Sequence, residues 1–316
     1  MLWCQPLRGE NIMNCPNCGS NRIQKRGSRN NRQRYECQSC SLWFMGDYID
    51  DVGNKNHAPK ILCFDLETSH IYSRVKSFTL WEVNIKPEEI EKDWIILSFS
   101  AKWLYETEVI HYSLNPNEVK KWDDKRIVKE LWKLIDEADI VIAHNIEFDK
   151  KKSNTRFVYH DIMPPSHFKE ICTLKMARSY FSITRNTLDY LGEYLGLGRK
   201  IKNEPGLWDM CEDCLHPRHQ EAMKLMVEYC DQDVLLLEKI YLKMRPYAKN
   251  NPNLSLYGSS EDNHTCPYCA SEGTIVWSDK LYENRYPSGR CSNCNAPVIG
   301  RENKMSKQKK KMIIKR

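Results

Sequence analysis

Nowhere does this chain run apolar for the roughly 20 residues that a membrane-spanning helix requires. Its opening, MLWCQPLRGENIM, also lacks the apolar core of a secretory signal. These absences argue against a membrane helix and against export, and they predict a cytoplasmic protein. Without export there is no oxidising compartment in which the 14 cysteines would pair as disulfides. Room is limited as well. A chain of 316 residues, 41% hydrophobic and 28% charged, suits one core domain with appendages or two small globular domains.

The net charge of +6 is unevenly spread. Residues 19–36 carry six Arg or Lys against Glu36, and residues 301–316 carry eight against Glu302, so the centre is acidic. Basic ends on an acidic middle predict that the ends hold a polyanion while the middle uses its acids otherwise.

Eight of the cysteines form four CxxC half-sites. CPNC (Cys15, Cys18) is followed by CQSC (Cys37, Cys40), and CPYC (Cys266, Cys269) by CSNC (Cys291, Cys294). Two knuckles about 20 residues apart suit a tetrahedral Cys4 zinc site, closed and therefore structural. Each zinc would hold together a piece too small to have its own core. Between the first two knuckles, SNRIQKRGSRNNRQRYE offers Arg29, Arg32 and Arg34 to phosphates and Tyr35 to a base. This ribbon resembles those of insertion-element transposases and related phage proteins. Cys211, Cys214, His216 and His219 in CEDCLHPRH have no second knuckle and read as a loop.

The predicted layout has an uninformative leader at 1–12, with translation starting at Met1 or Met13. A first zinc ribbon covers 13–50 and an α/β domain 58–248. A linker at 249–263, a second ribbon at 264–300 and a basic tail at 301–316 complete it.

The centre alternates strands and helices. KILCFDLE, DWIILSFSAKWL and EVIHYSL read as three strands. DDKRIVKELWKLIDEA places Val128, Leu131, Trp132 and Ile135 on one helical face. DIVIAHN is a short strand, FDKKK leads into a helix, and KEICTL is a weak strand. MARSYF, TLDYLGEYLG and HQEAMKLMVEYCDQDVLLLEKIYLKM then read as helices, the last ending before Pro246. The fold class is α/β, a mixed sheet with flanking helices.

Acids now stand out against this frame. Asp65 and Glu67, two apart on a strand, leave the same face. Asp149 opens a helix after a strand end, and Tyr229 and Asp233 share a helix face one turn apart. Four carboxylates meeting at one sheet end would raise each other's pKa unless divalent cations neutralise them. Hard oxygen ligands suit Mg²⁺ or Mn²⁺.

FDLET, HNIEFD and YCDQD resemble the three motifs of the DEDD 3′–5′ exonucleases of the ribonuclease-H-like superfamily. Tyr-x-x-x-Asp resembles its tyrosine-bearing subclass, whereas the histidine subclass would place His where Glu228 stands. The likeness covers roughly residues 60–245, and the attached ribbon is similar to standalone phage and viral exonucleases, which would put the protein in a host cytoplasm. No polymerase palm or fingers would fit in the remainder. The resemblance implies two catalytic Mg²⁺ or Mn²⁺ ions, with Asp65 bridging both. Glu67 and Asp233 would complete the water-activating site, Asp149 would hold the second ion, and Tyr229 would orient water. It also implies that Asn145 and Phe148 position the terminal nucleotide. The second motif departs from the pattern: it is compact, lacks Gly, and is followed by Lys150, Lys151 and Lys152.

The implied substrate is single-stranded or frayed-end DNA, with RNA as second choice, and a replication or recombination protein is an implied partner. The alternative is a zinc-ribbon nucleic-acid binder whose nuclease core is inactive or endonucleolytic. His144 reads as structural, His111 and His160 as ordinary surface or core residues, and Tyr190 as core packing.

Overall fold

The computed structural model describes residues 15, 17–29, 32–48, 59–74, 85–257 and 263–314. The leader expected at 1–12 lies outside the described residues. The chain divides into two compact units, Met1–Asn56 and His57–Arg316, each described by itself.

In the first unit, β1 (Ile23–Arg29), β2 (Arg32–Cys37) and β3 (Trp43–Tyr48) form a three-stranded antiparallel sheet. Cys15 and Cys37 are buried beside it, and among the described side chains of this unit they are the buried apolar ones.

The larger unit is built around β4 (Ile61–Thr68), whose ILCF half is buried on both faces. Next come the short pair β5 (Tyr72–Ser73) and β6 (Ile90–Lys92), then β7 (Ile96–Trp103) and β8 (Ile110–Ser113). Asn115 caps α1 (Pro116–Lys121) by accepting from the Asn117 and Glu118 amides. Helix α2 (Lys125–Glu137) buries Val128, Leu131, Trp132 and Ile135, the stripe its spacing predicts. It leads to β9 (Ile140–Ala143), α3 (Ile146–Tyr159), β10 (Lys169–Cys172), α4 (Thr173–Tyr180), α5 (Leu188–Tyr194), α6 (Leu207–Glu212) and α7 (His219–Met244).

The central sheet has the order β10-β9-β4-β7-β8. β4 pairs antiparallel with β7 and parallel with β9; β8 is antiparallel to β7, and β10 parallel to β9. Helices cover both faces. Ile61, Cys63, Ile140 and Ile142 pack with α4, α5 and α7 through Met176, Leu191, Val234 and Leu237. Phe64 and Val141, pointing the other way, meet Ile135, Ile146 and Phe157 of α2 and α3. No helix among the described residues is long and apolar enough to cross a membrane.

The second ribbon, β11 (Ile275–Tyr282), β12 (Tyr286–Cys291) and β13 (Pro297–Ile299), belongs to this same unit. The stretch before it is anchored to the core. Leu254 is 1% exposed in the core, its amide donates to the Pro267 carbonyl at 2.8 Å, and Ala270 packs on the same cluster. One buried leucine in an otherwise polar stretch is too weak a signal to read from composition. The basic tail continues into α8 (Lys307–Met312).

Candidate functional site

The side of β4 that carries Ile61 and Cys63 also carries Asp65 and Glu67, because strand side chains alternate. That side faces α7, and α7 brings Tyr229, Cys230 and Asp233 to it. The Cys230 thiol donates to the Asp65 carbonyl oxygen at 3.4 Å and lies 4.0 Å from Asp65 Oδ2. Ligand atoms of Asp65, Glu67 and Cys230 all lie within 4.8 Å of one another. Asp233 is buried, and Lys200 Nζ lies 2.5 Å from its Oδ2. Asp149, in the first turn of α3 and 3% exposed, follows the C-terminal end of β9, which runs parallel to β4. Its helix starts at Asn145, whose left-handed backbone (φ 73°, ψ 47°) turns the chain sharply out of β9.

Electrostatics tie these groups into one centre. Burial and the Asp233 charge push Asp65 up to about 7. Burial, then Asp65, Asp233 and Asp149, push Glu67 well above the carboxylate range, against a downward pull from Lys200. Burial and Asp65 do the same to Asp149. Burial also raises Asp233, although Lys200 and Tyr229 pull it down. The Tyr229 phenol is raised by burial, and its ring meets Trp208 of α6 edge-on, centroids 6.2 Å apart.

Such a donor set, oxygen-rich, buried and mutually repelling, fits divalent cations. Asp65 and Glu67 form its tight part, and Asp149 and Asp233 stand outside that tight group while remaining electrically coupled to it. Asp123, Asp124 and His160 also cluster, but there Arg156 already binds Asp124 through Nε and Nη2 at 2.7 and 2.6 Å, making a buried ion pair.

The cysteine sets are equally specific. Cys15–Cys40 and Cys18–Cys37 sulfurs are 3.6 Å apart, and Cys266–Cys294 and Cys269–Cys291 are 3.7 Å apart. A tetrahedron with Zn–S bonds of about 2.3 Å has edges of about 3.8 Å. Each knuckle closes with an amide donating four residues back, from Gly19, Ser41, Ala270 and Asn295 to Cys15, Cys37, Cys266 and Cys291. All four of these donors have positive φ, which Gly19 and Asn295 tolerate best. Both sets are compatible with structural zinc.

Other expected residues lie as follows. Asn145 and Phe148 are exposed at the α3 start. Lys150 pairs with Glu147 and Glu170, and Lys152 Nζ lies 3.6 Å from the Trp94 ring centroid, so two of the three lysines after Asp149 are engaged. Tyr190 stacks on Tyr194 rather than entering the core. Cys211, Cys214, His216 and His219 form no metal cluster among the described residues. Arg34 lies over the Trp43 ring at 5.8 Å and Tyr35 is half-buried, whereas the side chains of Arg29 and Arg32 lie outside the described ones. These four belong to the first compact unit.

Sequence reasoning missed two groups at the centre. Cys230 was visible inside YCDQD but carries no charge to draw notice. Lys200, with Nζ 2.5 Å from Asp233 Oδ2, comes from the segment between α5 and α6, where no motif marks it. No protein-family model matches the chain, and no curated protein matches it. What the centre can do follows from its own chemistry.

Proposed function

We propose that the chain is a metal-dependent 3′–5′ exonuclease that hydrolyses terminal phosphodiester bonds, on a ribonuclease-H-like scaffold. The observation that carries this reading is the meeting of Asp65 and Glu67 with Tyr229 and Asp233 on one face of the sheet, with Asp149 coupled to them. The strand order, with one antiparallel pair beside the central strand and a parallel pair on its other side, agrees with that scaffold.

Asp65, Glu67 and Asp233 would hold one divalent ion, and Asp65 with Asp149 a second. The two ions would activate water and neutralise charge on both sides of the phosphorus. Tyr229, its ring edge-on to Trp208, would orient the attacking water through its phenol. Exposed Phe148 offers a ring to the terminal base, and Asn145 a side-chain amide beside it. The cysteine ribbons and the basic tail would hold the strand or a replication or recombination partner. DNA is the favoured substrate, and RNA is the other arm of the test.

The experiment is degradation of 5′-labelled single-stranded DNA and the matching RNA with Mg²⁺, Mn²⁺ or EDTA, beside Asp65→Ala and Tyr229→Phe. A ladder shortening from the 3′ end, lost with EDTA and in Asp65→Ala, is expected. Intact strands that nevertheless shift on a gel would make the protein a binder with an inactive core. Internal cuts would make it an endonuclease.

A further inference from the structure

The acid centre contains a cation of its own. Lys200 Nζ lies 2.5 Å from Asp233 Oδ2 and 4.7 Å from the centroid of the Tyr229 ring. Its charge also reaches Asp65 and Glu67, easing their repulsion. Burial opposes the ammonium's charge, and Asp233 and Tyr229 beside it favour that charge. Among the described residues the other charged group acting on Asp233 is the acid Asp189, so there Lys200 is the counter-charge.

The backbone beneath this lysine is fixed while its head is not. The Lys200 amide donates to Asp189 Oδ1 at 3.0 Å, and Arg199 beside it pairs with Asp189 at 3.0 Å and Glu193 at 3.2 Å. Both acids belong to α5, which packs against α7. Above that anchor stands a flexible four-carbon stem, and the side chain is 28% exposed. The ammonium can therefore leave Asp233 toward solvent without any movement of the backbone.

A divalent ion needs the same carboxylate oxygens and repels an ammonium beside them. We propose that Lys200 is an exchangeable counter-ion, which occupies Asp233 while the centre is metal-free and is displaced when a divalent cation binds. This rests on the reading of the acids as a divalent-cation centre. Two consequences follow. In the metal-free centre Lys200 holds the Asp233 carboxylate in place, ready to bind. Metal affinity is set below what the acids alone would give, because each binding event must first expel a tethered charge.

The test is Mn²⁺ titration calorimetry on the zinc-loaded full chain without nucleic acid, comparing wild type, Lys200→Met and Lys200→Arg. Lys200→Met is expected to bind Mn²⁺ at least roughly tenfold more tightly, since a full charge at contact distance is removed. Lys200→Arg, which keeps the charge, should bind no more tightly than wild type. Without added divalent ion, the unfolding midpoint of Lys200→Met should fall, and Mn²⁺ should raise it more than it raises the wild type. Lys200→Gln replaces the Met variant if that one does not fold. Equal or weaker Mn²⁺ affinity in a folded, uncharged variant overturns the counter-ion. If neither wild type nor the variants take up Mn²⁺, and Asp65→Asn changes nothing, the divalent-cation reading itself fails.

Discussion

The Cys230 thiol donates to the Asp65 main-chain carbonyl at 3.4 Å, joining α7 to the central strand across 165 positions. Cys230 is completely buried, and it stands between the Tyr229 and Asp233 positions on α7. Cys230→Ala removes that contact and leaves a small void, so a loss of about 1–2 kcal/mol is expected in denaturant unfolding. Because the thiol spaces α7 from β4, Mn²⁺ uptake should weaken in the same variant. An unchanged midpoint would show that the contact carries no weight.

His144 supplies a pH dependence of known sign. Its Nε2 faces the Asn186 carbonyl at 2.9 Å, which can only accept, and its Nδ1 meets the Thr173 hydroxyl at 2.9 Å. A neutral ring satisfies both contacts, and burial pushes its pKa down from 6.5 to about 4. The folded chain thus resists a proton that the unfolded chain accepts. The stability involved is whole above pH 6.5 and is lost as pH falls toward 4, about 3 kcal/mol over that window. Denaturant melts at pH 7 and pH 4.5 should show the loss in wild type and a smaller one in His144→Gln.

Gly192 on α5 leaves no room for a side chain. A β-carbon there would lie 2.6 Å from the Gly198 carbonyl oxygen and 2.9 Å from Leu236 Cδ1 of α7. The first of these is backbone and cannot swing aside. Gly192→Ala should cost about 1–3 kcal/mol by overpacking. It should also shift the 196–200 segment and weaken the Lys200–Asp233 pair, seen as a larger midpoint gain on Mn²⁺ addition than in wild type.

Zinc loss should have different consequences at the two ends. The second ribbon shares the core through Leu254 and Ala270, so Cys269→Ser should lower the main unfolding transition as well as releasing zinc. Cys18→Ser disrupts the other compact unit and should release zinc while leaving the main transition in place. Calorimetric unfolding with a colorimetric zinc assay separates the two. Equal shifts from both variants would mean that the ends are not energetically distinct.

Much of the fold is legible in the chain because period and chemistry are local. Alternation in KILCFDLE sets Asp65 and Glu67 on one side of a strand, and the four-residue step from Tyr229 to Asp233 sets them on one side of a helix. The cysteine spacings likewise specify two closed four-sulfur sites. None of these needs knowledge of distant residues.

Tertiary structure alone decided which groups complete the centre. Lys200 sits in GRKIKNEPG, where a lysine looks like any solvated charge, and it reaches Asp233 only because Asp189 and Glu193 hold its segment against α7. Leu254 turns an apparent linker into an anchor only because the core leaves a place for one leucine. Periodicity states which face a residue takes. What meets it there depends on contacts between segments far apart in the chain, and those are determined by packing the whole.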